Sequence, residues 1–152
     1  MSWKFCVNND LKLDQFVDEI KTCFPNNGTK DVWSDRIVFN YDGFSCHVIL
    51  EKDDEDDSDF NVIQEIYGIS YTYVCRIETY SSYSGDYLLD MMNFVGGLLK
   101  RIPGDALLMF NGEEPVVYRH NGQICVAPGI WRVEGLGLPY KEQPWDDGFF
   151  RS

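Results

Sequence analysis

Residues 86–126 read DYLLDMMNFVGGLLKRIPGDALLMFNGEEPVVYRHNGQICV, and the rest of the chain is arranged around them. Leu88, Met91, Met92, Val95, Leu98, Leu99 and Ile102 recur at helical spacing, so they share one apolar helix face. Ser84 or Asp86 is placed to cap the start of this helix. Lys100 and Arg101 fall in its last turn, where cations favour the negative end of the helix dipole. Pro103 restricts Ile102 and Gly104 accepts left-handed angles, so the helix stops there. Asp105 to Phe110 is a short apolar run bounded by turn signals, which suits a buried strand. Asn111-Gly112 turns the chain and Val116 to Arg119 returns it. Asn121-Gly122 is a two-residue hairpin turn, since both residues tolerate positive φ, and Gln123 to Ala127 follows as a third strand.

Upstream, Trp3 to Val7 reads as a short strand. Leu13, Phe16, Val17, Ile20, Cys23 and Phe24 form the stripe of a first helix, capped by Asn9 or Asp10 and ended by Pro25 to Gly28. Ile37, Phe39 and Tyr41 alternate with polar neighbours, Asp42-Gly43 turns, and Phe44, Cys46, Val48 and Leu50 alternate on the return. Ile69, Tyr71, Tyr73, Cys75 and Ile77 make the longest alternating run. Between these lies Asp53-Asp54-Glu55-Asp56-Asp57-Ser58-Asp59, whose like charges repel and predict an exposed loop. One short strand is expected near Ile130 to Val133, followed by an irregular aromatic tail.

These elements predict an α+β fold: a single twisted, mostly antiparallel sheet of about six strands with two helices packed on one face. Residues 1–152 form one domain. Gly96-Gly97 inside the second helix costs roughly 1 kcal/mol per glycine relative to alanine. A close approach to the sheet would offset that, and a local kink is the other reading.

The helix ending in basic residues, then PGDALLMFNGEEPVVYR, then NGQICV, resembles the swarming-inhibition immunity protein family of bacterial toxin systems. The segment from Gly104 to Glu113 carries the resemblance most closely, and a weaker likeness runs from Trp3 to Ile69. The resemblance implies a small cytoplasmic protein that protects a cell by binding a cognate toxin.

Composition bounds the remaining possibilities. The net charge is −12, which disfavours nucleic acid and anionic membranes, because phosphate binding needs a basic face. It favours a partner with a basic surface, or serves only solubility. The five cysteines lie in apolar segments without a CxxC, and no stretch reads as a signal peptide or a membrane span. The expectation is a reduced cytoplasmic protein with buried thiols and no cofactor.

His47 and His120 have no Cys or His at metal spacing, so no zinc site is expected. A calcium loop starting at Asp54 would place Asp59 where the sharp turn requires glycine, so no metal is expected there either. No phosphate loop, G-x-S-x-G or HExxH occurs, although a Cys–His pair could still meet in space. Three functions stay open: a toxin-neutralising immunity protein, a small cytosolic ligand-binding or regulatory domain, and an enzyme built from scattered residues. For the first, the expected partner-binding residues are Asp53, Asp54, Glu55, Asp56, Asp57 and Asp59, helped by Glu113 and Glu114. Trp131, Tyr140 and Trp145 are the alternative anchors.

Overall fold

A computed structural model of the chain describes residues 1–50, 54–111, 114–127 and 139–142, with the backbone alone for residues 54–59. In chain order the first elements are β1 (Ser2–Val7), α1 (Leu13–Cys23), β2 (Thr29–Val32), β3 (Arg36–Asn40), β4 (Phe44–Ile49) and α2 (Asp54–Tyr67). Then come β5 (Tyr73–Thr79), α3 (Tyr87–Arg101), β6 (Ala106–Phe110), β7 (Glu114–His120), β8 (Gln123–Val126) and β9 (Tyr140–Glu142). The strands form one sheet in the order β2-β3-β4-β5-β1-β6-β7-β8-β9, antiparallel throughout except for the parallel pair β8–β9.

β1 sits at the centre because both of its faces are apolar enough to be covered. Trp3, Phe5 and Val7 join the larger core, while Cys6 joins the smaller one on the opposite face. The larger core takes Phe16, Val17 and Ile20 from α1 and Met91, Met92, Val95 and Leu98 from α3. Each such fully buried side chain contributes roughly 1.5–3 kcal/mol relative to exposure. The smaller core takes Ile63 from α2 with Ile69, Val74, Leu107, Met109 and Tyr118, flanked by Phe60 and Tyr67.

The expected count of two helices and about six strands is therefore corrected to three helices and nine strands among the described residues. The acidic stretch read as a loop is helical from Asp54 onward. Five acids in the first two turns of α2 sit at the positive end of its dipole, which offsets part of their repulsion. The rest comes from Phe60, Ile63 and Tyr67, spaced to meet the sheet. The two expected helices do share a face, as predicted, but α2 covers the other one.

β2 and β9 carry no alternating burial, since all their residues are exposed. They exist because β3 and β8 offer them ladder partners. The long strand starts at Tyr73, not Ile69. Ile69 and Tyr71 pack with Val74, whereas Cys75 and Ile77 face the other core, so the period of two breaks between Tyr71 and Val74. The strand expected at Ile130 to Val133 lies outside the described residues, as does Gly112 of the Asn111 turn.

Local signals held elsewhere. Asp86 caps α3, its carboxylate accepting from the Leu89 N–H at 3.0 Å. Asn121 and Gly122 have φ of 52° and 80°, as the tight hairpin between β7 and β8 requires. The cap of α1 is Lys12 instead of Asn9 or Asp10: the helix starts at Leu13, and the Gln15 side chain accepts from the Lys12 N–H at 2.9 Å, while the Asn9 side chain accepts from Leu11 N–H ahead of the helix. α3 runs unbroken through Gly96-Gly97. The close neighbour at Gly97 is Cys23 of α1, 3.5 Å from where a Cβ would stand, so the approach is helix to helix and not helix to sheet. A bulge between Leu108 and Met109 sets Met109 opposite Pro115, and Val116 and Val117 both reach the larger core.

Candidate functional site

The sequence singled out acids, and the structure distributes them unevenly. Asp54, Glu55, Asp56, Asp57 and Asp59 occupy the N-terminal turns of α2, with their side chains outside the described residues. Asp53 and Glu113 also lie outside the described residues. Glu114 opens β7 opposite Phe110 and is exposed. Tyr140 opens β9 and is 37% exposed, while Trp131 and Trp145 lie outside the described residues.

α2 holds six acids and no Lys, Arg or His in its fourteen residues. It lies on the sheet face that also carries Lys4 and Arg76, neighbours across β1 and β5. Lys4 is 7% exposed, with its ammonium 5.9 Å over the Tyr71 ring. The C-terminal end of α2 is tied down by the Tyr118 hydroxyl, which donates to the Tyr67 carbonyl at 2.7 Å. Its outer side exposes Val62 and Ile66, at 49% and 47%. The sequence assigned an exposed loop to Asp53 to Asp59 and no element to the residues just after it, so this pair was not singled out. The signal was there in their spacing of four residues.

The possible catalytic groups are arranged structurally. Ser45 Oγ lies 3.2 Å from His47 Nε2, a pair that could suggest a nucleophile and base. But Arg36 Nη1 lies 3.4 Å from His47 Nδ1, and guanidinium can only donate. Nδ1 therefore accepts, and the proton sits on Nε2, facing Ser45. The ring cannot take the hydroxyl proton in that tautomer, and Ser45 is 1% exposed. Burial first, then Arg36, holds the His47 pKa below its ordinary value. His120 Nδ1 pairs with Asp105 Oδ2 at 3.0 Å beside the β7–β8 turn. Neither histidine contacts a cysteine in these bonds. Tyr41 and Tyr83 share the Asp90 carboxylate, each hydroxyl 3.0 Å from Oδ2, which ties the β3–β4 turn to α3.

Among the described residues no group of three metal-ligating side chains occurs, and none of the five cysteines is in a disulfide. A groove of about 420 Å³ is lined by Asn8, Asn9, Asp10, Leu11, Pro103, Gly104 and Asp105. Only Leu11 and Pro103 of these are apolar, so it lacks the apolar lining expected of a small-molecule site. The Asn9 Nδ2 beside it is buried without a hydrogen-bond partner.

Comparison with known proteins agrees with the reading from residues 104–113. The SitI3-like family model matches residues 9–135, and the chain belongs to that family. SitI proteins are swarming-inhibition immunity proteins of polymorphic toxin systems. No curated protein and no solved structure matches the chain significantly. Among the described residues no helix is long and apolar enough to cross a membrane.

Proposed function

We propose that this member of the SitI3-like family neutralises a cognate toxin by binding it in the cytoplasm, without catalysis of its own. The family match over residues 9–135 carries the reading. The Arg36 contact at His47 Nδ1 and the burial of Ser45 support it, since both disfavour proton transfer in the Ser45–His47 pair. The partner has a basic surface, because a chain of net charge −12 attracts cations and repels polyanions. Its docking surface includes the acids at Asp53, Asp54, Glu55, Asp56, Asp57 and Asp59, with Glu113 and Glu114 as secondary contacts.

The test is protection. A toxin domain captured from the producing cell with this chain as bait is expressed in a sensitive host with and without it, and growth is followed. Rescue is expected. Killing that the chain does not prevent would refute the reading. With the purified pair, changing Asp54→Asn, Glu55→Gln, Asp56→Asn and Asp57→Asn together slows association, most at low salt, where screening is weak. Equal association rates at low salt would remove these acids from the docking surface.

A further inference from the structure

α2 turns Phe60, Ile63 and Tyr67 toward the sheet and leaves Val62 and Ile66 outside, 49% and 47% exposed. One turn of helix separates them, so they are neighbours on the surface. A single exposed apolar side chain is ordinary. Two adjacent ones on the outer side of a helix with six acids and no base form an apolar spot in a negative field.

We infer that Val62 and Ile66 are the apolar centre of the toxin-gripping surface, with the negative charge of the same helix attracting the partner. The inference rests on the immunity reading above. The occupant is a protein surface that is basic around a small apolar hollow. Charge decides this against the other occupants. A second copy would bring six acids against six, and anionic lipid or nucleic acid would be repelled in the same way. The two parts of the surface act on different rates. The acids speed encounter, while desolvated apolar contacts at the centre of an interface slow release. A second exposed apolar pair among the described residues, Val32 and Trp33, has no such field. Lys30 and Asp31 share its strand, and the Arg36 guanidinium lies 5.8 Å over the Trp33 ring.

The experiment uses the purified toxin domain from that protection assay and measures its binding to full-length variants. Val62→Ala and Ile66→Ala each remove exposed surface and raise helix propensity, so the melting temperature should be unchanged or slightly higher. Each is expected to weaken binding roughly tenfold, through faster dissociation. Val62→Lys should weaken it further, by setting a cation against the basic partner. Val32→Ala is the control and should bind as the wild type does. If the wild type protects against the toxin but the double alanine variant binds with unchanged dissociation, this surface is wrong and the immunity function stands. If the wild type gives no protection, both readings fall. If the alanine variant unfolds, Ile66→Gln, which keeps a long side chain on the helix, decides in its place.

Discussion

The backbone of Gly104 packs against the carbonyl of Asn8 so closely that a Cβ at position 104 would stand 1.7 Å from that oxygen. Gly104 has φ of 97°, and the neighbouring Asn8 N–H donates to the Asp105 carbonyl at 2.9 Å. The end of α3 and the end of β1 are thus joined backbone to backbone, with no room between them.

Gly104→Ala should therefore destabilise the protein by about 3 kcal/mol or more, because neither partner in the clash is a side chain that can move. Gly122→Ala shares the positive φ, at 80°, but meets nothing within 4 Å. It should cost only about 1–2 kcal/mol, the strain of the left-handed conformation. Urea unfolding of the two variants checks the ranking. Equal midpoints would mean that the close approach is not real.

Arg119 closes the same corner from the other side. It is 8% exposed, and its guanidinium donates to the carbonyls of Leu99 at 2.5 Å, Ile102 at 2.8 Å and Gly104 at 2.7 Å. Leu99 lies in the last turn of α3 and Ile102 is its C-cap, so the cation also meets the negative end of the helix dipole, while Gly104 lies just beyond the helix. Arg119→Met should cost about 3 kcal/mol by leaving those carbonyls unpaired. Arg119→Lys should recover little, since a single ammonium cannot span three carbonyls. Full rescue by lysine, measured by thermal unfolding, would show that charge alone matters here.

His47 makes stability depend on pH. Its imidazole is held below the ordinary value of 6.5 by burial, then by Arg36, while Glu78 pulls the other way. The unfolded chain therefore binds the proton first as pH falls. Stability from this group is present above pH 6.5 and declines as the solution is acidified through that value. His47→Gln should flatten that part of the melting-temperature profile. A His47 titration by NMR with a midpoint above 6.5 would reverse the sign and refute the assignment.

The thiols should be unreactive in the native protein. Cys6, Cys46 and Cys75 are at most 1% exposed, and burial pushes Cys23 up to about 11. The hydrogen bond with Cys46, then burial, raises Cys75 as well. A thiol reagent at neutral pH should label the folded chain slowly and all five cysteines after denaturation. Rapid native labelling of Cys23 would show that its surroundings open readily. Reductant and chelator should leave the melting temperature unchanged.

α3, its cap at Asp86 and its stop at Pro103-Gly104 were legible in the sequence, and so was the β6–β7–β8 meander. Each depends on residues within a few positions of one another, where periodicity and turn chemistry act directly. The family resemblance was legible for the same reason, since residues 104–113 are one contiguous run of strand and turn. Only the tertiary structure placed β1 between β5 and β6, recruited β2 and β9 to the edges, and turned the acidic stretch into α2. Six acids in a row of seven look like a solvated loop until the sheet supplies Cys6, Leu107 and Met109 for Ile63 to pack against. The exposure of Val62 and Ile66 had to wait for the same contact. Which side of a helix faces water is settled by what covers its other side, and here that cover comes from strands far away in the chain.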